Sequence, residues 1–321
     1  MKKYRVTLIL LGLFLALGSY VYFIEVKGGE KKQEQKEKEN KVFVFDQDNL
    51  DTLTLVLPDK KIKFQRYGEK QWRFLEPMTD EADIFAVNNV VSVLHGLEKQ
   101  RTFEGEDFRK DEFKLEKPDT EIRFRVTGDE KEKVLKFGRN TTSGGSVYVQ
   151  ANDEARAYLI DGALRRDINK SVESFRNKVV LDFSPQDIKE VSIEPSRQEE
   201  TIHLVKEGEA WSLKKPVKAG VNEKNITAYL EEVSYLRADA LVDKIDISKP
   251  YLKIILNDDK VLTFYNKRDS KKTYIARKGR DVFMEVDTSE VEKNFIKKVS
   301  YFEEVPAKTG TPQPKKNETT N

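Results

Sequence analysis

The two halves of this chain repeat one pattern of apolar residues and turns. The apolar positions of segment 45–55 recur 138 residues later in segment 183–193. Each segment leads into a stretch that ends in a Trp-x4-Pro motif, at Trp72 in the first half and at Trp211 in the second. A nearly constant offset over several elements indicates a tandem duplication.

The same order of elements follows each tryptophan. Apolar residues recur first at helical spacing, at Val87, Val90, Val91, Leu94 and Leu97 and again at Ile226, Tyr229, Leu230, Val233 and Leu236. Four strand-like segments come next, at 122–126, 134–137, 147–149 and 158–160 and then at 252–256, 261–265, 274–276 and 282–286. Turn pairs such as Asn152-Asp153 and Asn257-Asp258 separate them and predict hairpins.

A second helical stripe closes each half, over 164–175 and 291–302. The later stripe begins near Ser289-x-x-Glu292, a pattern typical of a capping box. We therefore predict an α+β fold with two tandem units, each of mostly antiparallel sheet with amphipathic helices. The units are expected at 42–181 and 182–305.

The segments outside these units differ in composition. Segment 27–41 is almost entirely Gly, Lys, Glu, Gln and Asn, so it has no apolar face to bury and is expected to be a charged flexible stalk. Segment 306–321 is polar and contains two prolines, which predicts a disordered tail.

The N-terminus carries an uncharged run of 19 residues at 6–24. A helix of that length spans about 28 Å, close to the hydrocarbon thickness of a bilayer. We expect residues 1–26 to be a retained transmembrane anchor with the body outside the cytoplasm. The alternative is a cleaved signal peptide, because Ala16-Leu17-Gly18 offers small residues at a suitable spacing.

Composition excludes several classes of protein. The chain has no cysteine, so disulfides, thiolate metal sites, cysteine nucleophiles and attachment of a lipid to cysteine are all excluded. The formal net charge of +2 comes from 58 basic and 56 acidic residues. This balance argues against a nucleic-acid-binding surface, which needs clustered basic charge.

Few residues are candidates for chemistry. Trp72 and Trp211 could form paired aromatic platforms, but we favour a place in the core of each unit, because a duplication copies the core. The only histidines are His95 and His203, and the pattern Glu200-x-x-His203 falls in a stretch that alternates like a strand. We therefore predict no metal site.

The remaining motifs do not indicate a catalytic or ligand-binding site either. Ser212-x-x-Lys215 lacks the partner motifs of a serine nucleophile, and the glycine-rich segment 139–147 lacks the ending of a phosphate-binding loop. The 56 acidic residues make any carboxylate pair impossible to single out. No catalytic, cofactor-binding or metal-binding residue is assigned.

Several short segments of the chain form a recognisable set. They are Trp72 with Pro77, Ala82-Asp83, Leu94-His95-Gly96-Leu97, Phe113-Lys114-Leu115-Glu116-Lys117-Pro118 and Phe175-Arg176-Asn177-Lys178. Together they resemble the family known as domain of unknown function 4340. Lys114 stands where the family has glycine, and Asn177 stands where it has an acid. The similarity covers about 62–193. It implies a membrane-anchored bacterial envelope protein, often encoded beside components of ABC transporters, and it implies no activity.

We therefore expect a single-pass membrane-anchored envelope protein with a non-catalytic interaction or scaffolding body. Its expected partners are the membrane, through residues 6–24, and other envelope proteins, with an ABC transporter component suggested by the family resemblance. No nucleic acid is expected. A glycan- or peptide-binding module and an envelope hydrolase are the alternatives.

Overall fold

The computed structural model describes residues 27–304 except Glu69, 197–199, Ser248 and 267–270, together with Phe14, Tyr20 and Tyr22. The chain divides into two compact units, Met1–Asn177 and Lys178–Asn321. This boundary precedes the expected one at 181/182, because Val180 and Leu181 are buried in the core of the second unit.

The first unit is built on a nine-stranded antiparallel sheet. Its strands are β1 Leu50–Val56, β2 Lys61–Tyr67, β3 Gln71–Glu76, β4 Asp80–Glu81, β5 Arg101–Glu104, β6 Thr120–Val126, β7 Lys133–Asn140, β8 Ser146–Ala151 and β9 Arg156–Asp161. Their spatial order is β4-β3-β2-β1-β6-β7-β8-β9-β5. The four expected strands of the first half are β6 to β9, and they form a meander of hairpins.

The second unit repeats that topology strand for strand. Its strands are β10 Glu190–Pro195, β11 Ile202–Glu207, β12 Ala210–Lys215, β13 Ala219–Gly220, β14 Ala240–Val242, β15 Pro250–Leu256, β16 Lys260–Asn266, β17 Lys272–Arg277 and β18 Phe283–Asp287. The spatial order is β13-β12-β11-β10-β15-β16-β17-β18-β14. Both Trp-x4-Pro motifs end in a cis peptide bond, before Pro77 and before Pro216. The predicted internal repeat is confirmed.

Most of the helices and 3-10 turns also have a counterpart in the other unit. They are α1 Lys27–Asn40, α2 Ile84–His95, α3 Ala163–Ile168, α4 Glu223–Tyr235, α5 Thr288–Asn294 and α6 Val299–Phe302, with 3-10 turns at Gln47–Asn49, Gly105–Asp107, Val172–Phe175 and Pro185–Asp187. Asp83 caps α2 by accepting from the amides of Phe85 and Ala86, and Asn222 caps α4 by accepting from the amide of Asn225.

Each unit has its own hydrophobic core on the helix-covered face of its sheet. The predicted stripe of α2 is buried with the inward residues of β1, β2, β3 and β6. The stripe of α4 is buried in the same way with β10, β11, β12 and β15. Buried and less buried residues alternate along several strands, as at Ile62 and Phe64 of β2 and at Trp72 and Phe74 of β3.

The first unit has a further apolar cluster with no counterpart in the prediction. It contains Phe103, Phe113, Leu115 and Ala157, with Phe108, Tyr148 and Leu159 packed against it. The connection 105–119 between β5 and β6 supplies Phe108, Phe113 and Leu115. The corresponding connection of the second unit, 243–249, is shorter.

Segment 27–41 was expected to be a charged flexible stalk, and its residues 27–40 form helix α1. Glu, Lys and Gln are strong helix formers, and side chains four residues apart contact each other, as Gln33 does with Glu37 and Gln35 with Glu39. Residues 35–40 of this helix are exposed, which agrees with the expected solvation for that part of the segment.

Two helix predictions are corrected. Each closing stripe is broken into two short pieces, which are α3 and the 3-10 turn Val172–Phe175 in the first unit and the helices α5 and α6 in the second. Helix α5 is capped by Asp287 rather than by Ser289, because the Asp287 carboxylate accepts from both the amide and the hydroxyl of Ser289.

The predicted anchor 6–24 and the predicted tail 306–321 lie outside the described residues, apart from Phe14, Tyr20 and Tyr22. Within the part of the chain that the structure describes, no helix has both the length and the apolar character needed to cross a membrane.

Candidate functional site

A cavity of about 210 Å³ opens at one end of the second unit's core. Its apolar wall comes from neighbouring strands, since Ile193 of β10 pairs with Ile202 of β11 and Pro195 of β10 pairs with Leu252 of β15. Ile296, just after α5, completes this wall. The site therefore lies where the sheet and the closing helix diverge.

Polar groups line the same cavity. They are Glu200, Tyr251, Asn266, Glu292 and Lys297. The hydroxyls of Tyr251 and Thr273 are 3.0 Å apart, and the Thr273 hydroxyl lies 3.2 Å from Asn266 Oδ1. Burial raises the pKa of the Tyr251 phenol above its usual value, and the nearby charge of Glu292 acts in the same direction. Tyr251 is therefore a neutral group at neutral pH.

Lys297 contributes a cation to the described lining of this cavity. Its ammonium donates to the Lys293 carbonyl at 2.6 Å and lies 4.9 Å from the ring centroid of Tyr301. Burial lowers the pKa of the Lys297 ammonium, although the negative charge of Glu232 opposes that shift. With an apolar wall and charges of both signs at its edge, the cavity can hold a small apolar group that carries a polar end.

The two tryptophans are core residues, as predicted. Trp72 is 1% exposed, and its indole donates to Asn88 Oδ1 at 2.8 Å. Trp211 is 8% exposed, and its backbone amide donates to Glu223 Oε1 at 2.9 Å. Neither ring is available as a platform for a flat ligand.

The histidines make local contacts. Nδ1 of His95 is 2.8 Å from the carbonyl oxygen of Phe45, and its Nε2 is 3.3 Å from Lys41 Nζ. Nε2 of His203 is 2.6 Å from Glu190 Oε1, across the pair formed by β10 and β11. The stretch around His203 is a strand, as predicted. Among the described residues, no group of three or more His, Cys, Asp or Glu side chains could hold a metal ion.

The other sequence motifs are parts of the sheets. Segment 139–147 contains the hairpin connection between β7 and β8, with Gly144 at a φ of 77°. The Ser212 hydroxyl donates to the Val205 carbonyl at 3.2 Å, between neighbouring strands. Both segments therefore belong to antiparallel hairpins of the sheets.

A buried ion pair closes the first unit, and it was not anticipated from the sequence. Nε of Arg176 donates to Asp80 Oδ2 at 2.8 Å, and these side chains are only 4% and 2% exposed. Arg176 Nη1 also donates to Glu173 at 3.3 Å. The backbone amide of Asp83 donates to the Phe175 carbonyl at 2.7 Å, so the 172–177 segment is fastened beside α2.

The second unit keeps this backbone arrangement with different side chains. The amide of Asn222 donates to the Phe302 carbonyl at 2.8 Å, which matches the bond between Asp83 and Phe175. Strand register places Ala219 where the first unit has Asp80, and the bridge from Val221 to Glu303 matches that from Ala82 to Arg176. The ion pair is thus a feature of the first copy.

The fold is therefore that of a duplicated α+β protein, and its family is now clear. Residues 72–253, more than half of the chain, match the family described as Domain of unknown function (DUF4340). The chain belongs to this family. Comparison with curated proteins and with solved structures gave no match.

The cavity and the ion pair could not have been chosen from the sequence. Arg176 was noted only within a short motif, and its partner Asp80 lies 96 residues away. Glu200 was noted only for its spacing to His203, whereas the structure places it with Glu292 at one cavity. The one local hint of the ion pair in the sequence was the arginine that directly follows the last apolar residue of the stripe, at Phe175-Arg176.

Proposed function

We propose that this protein is a single-pass envelope protein of the bacterial cell membrane, anchored through residues 6–24. Its extracytoplasmic body acts as a non-catalytic interaction or scaffolding module. Its partners are other envelope proteins, and the family resemblance suggests a component of an ABC-type transport complex. The charged helix α1, which is exposed at residues 35–40, then separates the body from the membrane surface.

One observation carries this proposal. Each unit exposes a large aromatic side chain on its main helix, Phe85 near the start of α2 at 80% and Tyr235 at the end of α4 at 79%. Exposed aromatic side chains are costly in water and are enriched at the energetic centres of protein interfaces. Two such residues on one tethered chain allow two modest contacts to combine into firm attachment.

Site-specific photocrosslinking in intact cells tests the proposal. A photoreactive residue at position 85 or 235 is expected to capture a membrane protein. The same residue at Asn89 of α2 or Thr227 of α4, which are exposed polar positions, serves as the control. Equal capture from all four positions, or capture from none, would contradict the interaction role.

Substitution completes the test. F85A and Y235A remove side chains that lie in water, so each should leave the free energy of unfolding within about 0.5 kcal/mol of the parent. F85A should reduce capture by a photoreactive residue at position 235, and Y235A should reduce capture by one at position 85. Loss of capture accompanied by unfolding would show that the aromatics serve the fold rather than a partner.

A peptide-binding role is the second candidate, and the cavity favours it. Its wall of Ile193, Ile202, Leu252 and Ile296 suits one apolar side chain, while Tyr251 and Asn266 can hydrogen-bond to a peptide group. The test is a peptide array screened against the parent and against I202W, which narrows the cavity. Peptides that bind both equally would exclude this site.

The hydrolase alternative can be tested at the same cavity, because Glu200 and Glu292 both line it. E200Q and E292Q remove the two carboxylates while keeping their volume. If either substitution abolishes the phenotype of the intact protein while folding is preserved, the non-catalytic proposal is wrong.

A further inference from the structure

The longer connection of the first unit, residues 105–119, packs aromatic side chains against the sheet. Its Phe113 stacks on Tyr148 of β8, with ring centroids 4.3 Å apart and planes within 8° of parallel. Phe113 and Leu115 are buried in the outer apolar cluster. The connection is thus held firmly on the sheet, and the residues after Phe113 take fixed positions.

A basic cleft lies between this connection and the end of β7. Its volume is about 340 Å³. Four cationic side chains line it, Lys114, Lys117, Arg139 and Arg165, against the single acidic side chain of Asp119. The lining therefore carries an excess of positive charge, in a chain whose charges otherwise nearly balance.

The two arginines of the cleft are held mainly by uncharged acceptors. Nε of Arg139 donates to the Glu112 carbonyl at 2.7 Å, and its guanidinium lies 5.2 Å from the Tyr148 ring centroid. Nη1 of Arg165 donates to the Gly138 carbonyl at 2.6 Å.

Arg165 also meets side chains of the cleft. Its Nη1 donates to Asn140 Oδ1 at 3.2 Å, and its Nη2 lies 3.8 Å from Asp119 Oδ1. Carbonyl and amide oxygens fix a guanidinium in place without neutralising its charge. Both arginines are therefore oriented in advance, and most of their charge remains available to an anion.

Lys114 occupies a backbone conformation that is unfavourable for it. Its φ is 57°, in the left-handed region, where a residue with a side chain costs about 1 to 2 kcal/mol more than in the right-handed region. Lys114 is exposed, so its side chain does not repay this cost by packing. Backbone strain of this kind concentrates at binding sites, and here it accompanies a cation at the cleft.

We propose that this cleft binds a phosphoryl group, as found in a phosphate monoester or in the phosphodiester of a lipid headgroup. The arginines supply fixed N–H donors, and Lys114 and Lys117 supply point charges that neutralise a second negative charge. A ligand that carries only one carboxylate would leave most of the positive charge of the cleft uncompensated. This binding site is independent of the exposed aromatics that carry the proposed function.

Equilibrium dialysis of the purified full-length chain against inorganic phosphate tests the site. The variant K114Q/K117Q removes two cations that are exposed and whose side chains make none of the bonds that hold the cleft together. We expect at least roughly tenfold weaker phosphate binding, since charge-assisted hydrogen bonds are the strong ones. The matched control is K224Q/K244Q, which removes two exposed lysines from the second unit.

Three results would overturn the proposal. They are the absence of saturable phosphate binding by the parent, an equal loss of binding in the control variant, and displacement of phosphate by acetate at equal concentration.

Competition by glycerophosphoglycerol, a soluble phosphodiester headgroup, distinguishes a lipid headgroup from a soluble phosphate ester as the natural ligand. Displacement by it at lower concentration than by inorganic phosphate supports a lipid headgroup, and the reverse order supports a soluble phosphate ester.

Discussion

Removal of the Asp80 carboxylate should destabilise the first unit far more than the loss of an exposed ion pair would. In D80A the Arg176 guanidinium stays buried, at 4% exposure, without its partner at 2.8 Å. Breaking a buried pair in this way costs about 3 to 5 kcal/mol, because the remaining charge is neither solvated nor compensated. Glu173, 3.3 Å from Arg176 Nη1, offsets part of this cost. We therefore expect D80A to lower the free energy of unfolding of the first unit by about 3 kcal/mol.

The chain offers an internal reporter for this measurement, because each unit contains one of its two tryptophans. In a W211F background, Trp72 fluorescence follows unfolding of the first unit alone. With a urea slope of about 2 kcal/mol per molar, a loss of about 3 kcal/mol lowers the unfolding midpoint by about 1.5 M. The Trp211 transition, read in a W72F background, should not move.

An exposed pair provides the control. Lys61 and Glu76 are 3.0 Å apart, but their side chains are 52% and 42% exposed. K61A should therefore cost less than about 1 kcal/mol. If D80A costs no more than K61A, the buried pair does not hold the 172–177 segment as described. The double variant D80L/R176M should recover most of the loss, since the charge that remains in D80A is removed.

Three further predictions follow from single positions. G138A should lose about 3 kcal/mol in urea unfolding, because its Cβ would lie 2.1 Å from the Phe113 carbonyl oxygen and the outer cluster would have to shift; an unchanged midpoint would contradict that close approach. K114G should gain about 0.5 to 1 kcal/mol by the same measurement, since glycine accepts a φ of 57° without strain, and a loss of stability would show that Lys114 packs after all. The hydrogen bonds from Ser289 lower the pKa of the Asp287 carboxylate, so its stabilisation of α5 is fully present above about pH 4 and is lost as the pH falls through the lowered folded-state pKa. D287N should therefore show a smaller loss of α5 amide protection in hydrogen exchange than the parent between about pH 4 and 2, and identical acid profiles would refute this role for the carboxylate.

Local patterns in the sequence were enough for the repeated architecture. The strands β6 to β9 and β15 to β18 were predicted because each alternates apolar and polar residues, which a sheet with one buried face demands. The stripes of α2 and α4 were predicted for the equivalent reason at helical spacing. Both copies carry these patterns, so the duplication itself was readable.

Other local features predict poorly, because the same residues are compatible with more than one local structure. The composition of segment 27–41 has no apolar face, which indicated an irregular stalk, yet its Glu, Lys and Gln residues favour the helix α1. Ser289 fits a capping box, but Asp287 stands two residues earlier and takes the role, because its carboxylate accepts from the Ser289 amide at the start of α5. In such cases the outcome depends on small energy differences between neighbouring residues.

The sequence by itself determined the two units, the order of their main elements and the burial of both tryptophans. Only the tertiary structure decided which charged residues meet. Arg176 meets Asp80, and Lys114 lies with Arg165 at one cleft, because segments far apart along the chain pack beside each other in the folded unit. Apolar burial is nondirectional and leaves a periodic trace in the sequence, whereas a charge pair depends on the positions of a few atoms and leaves none.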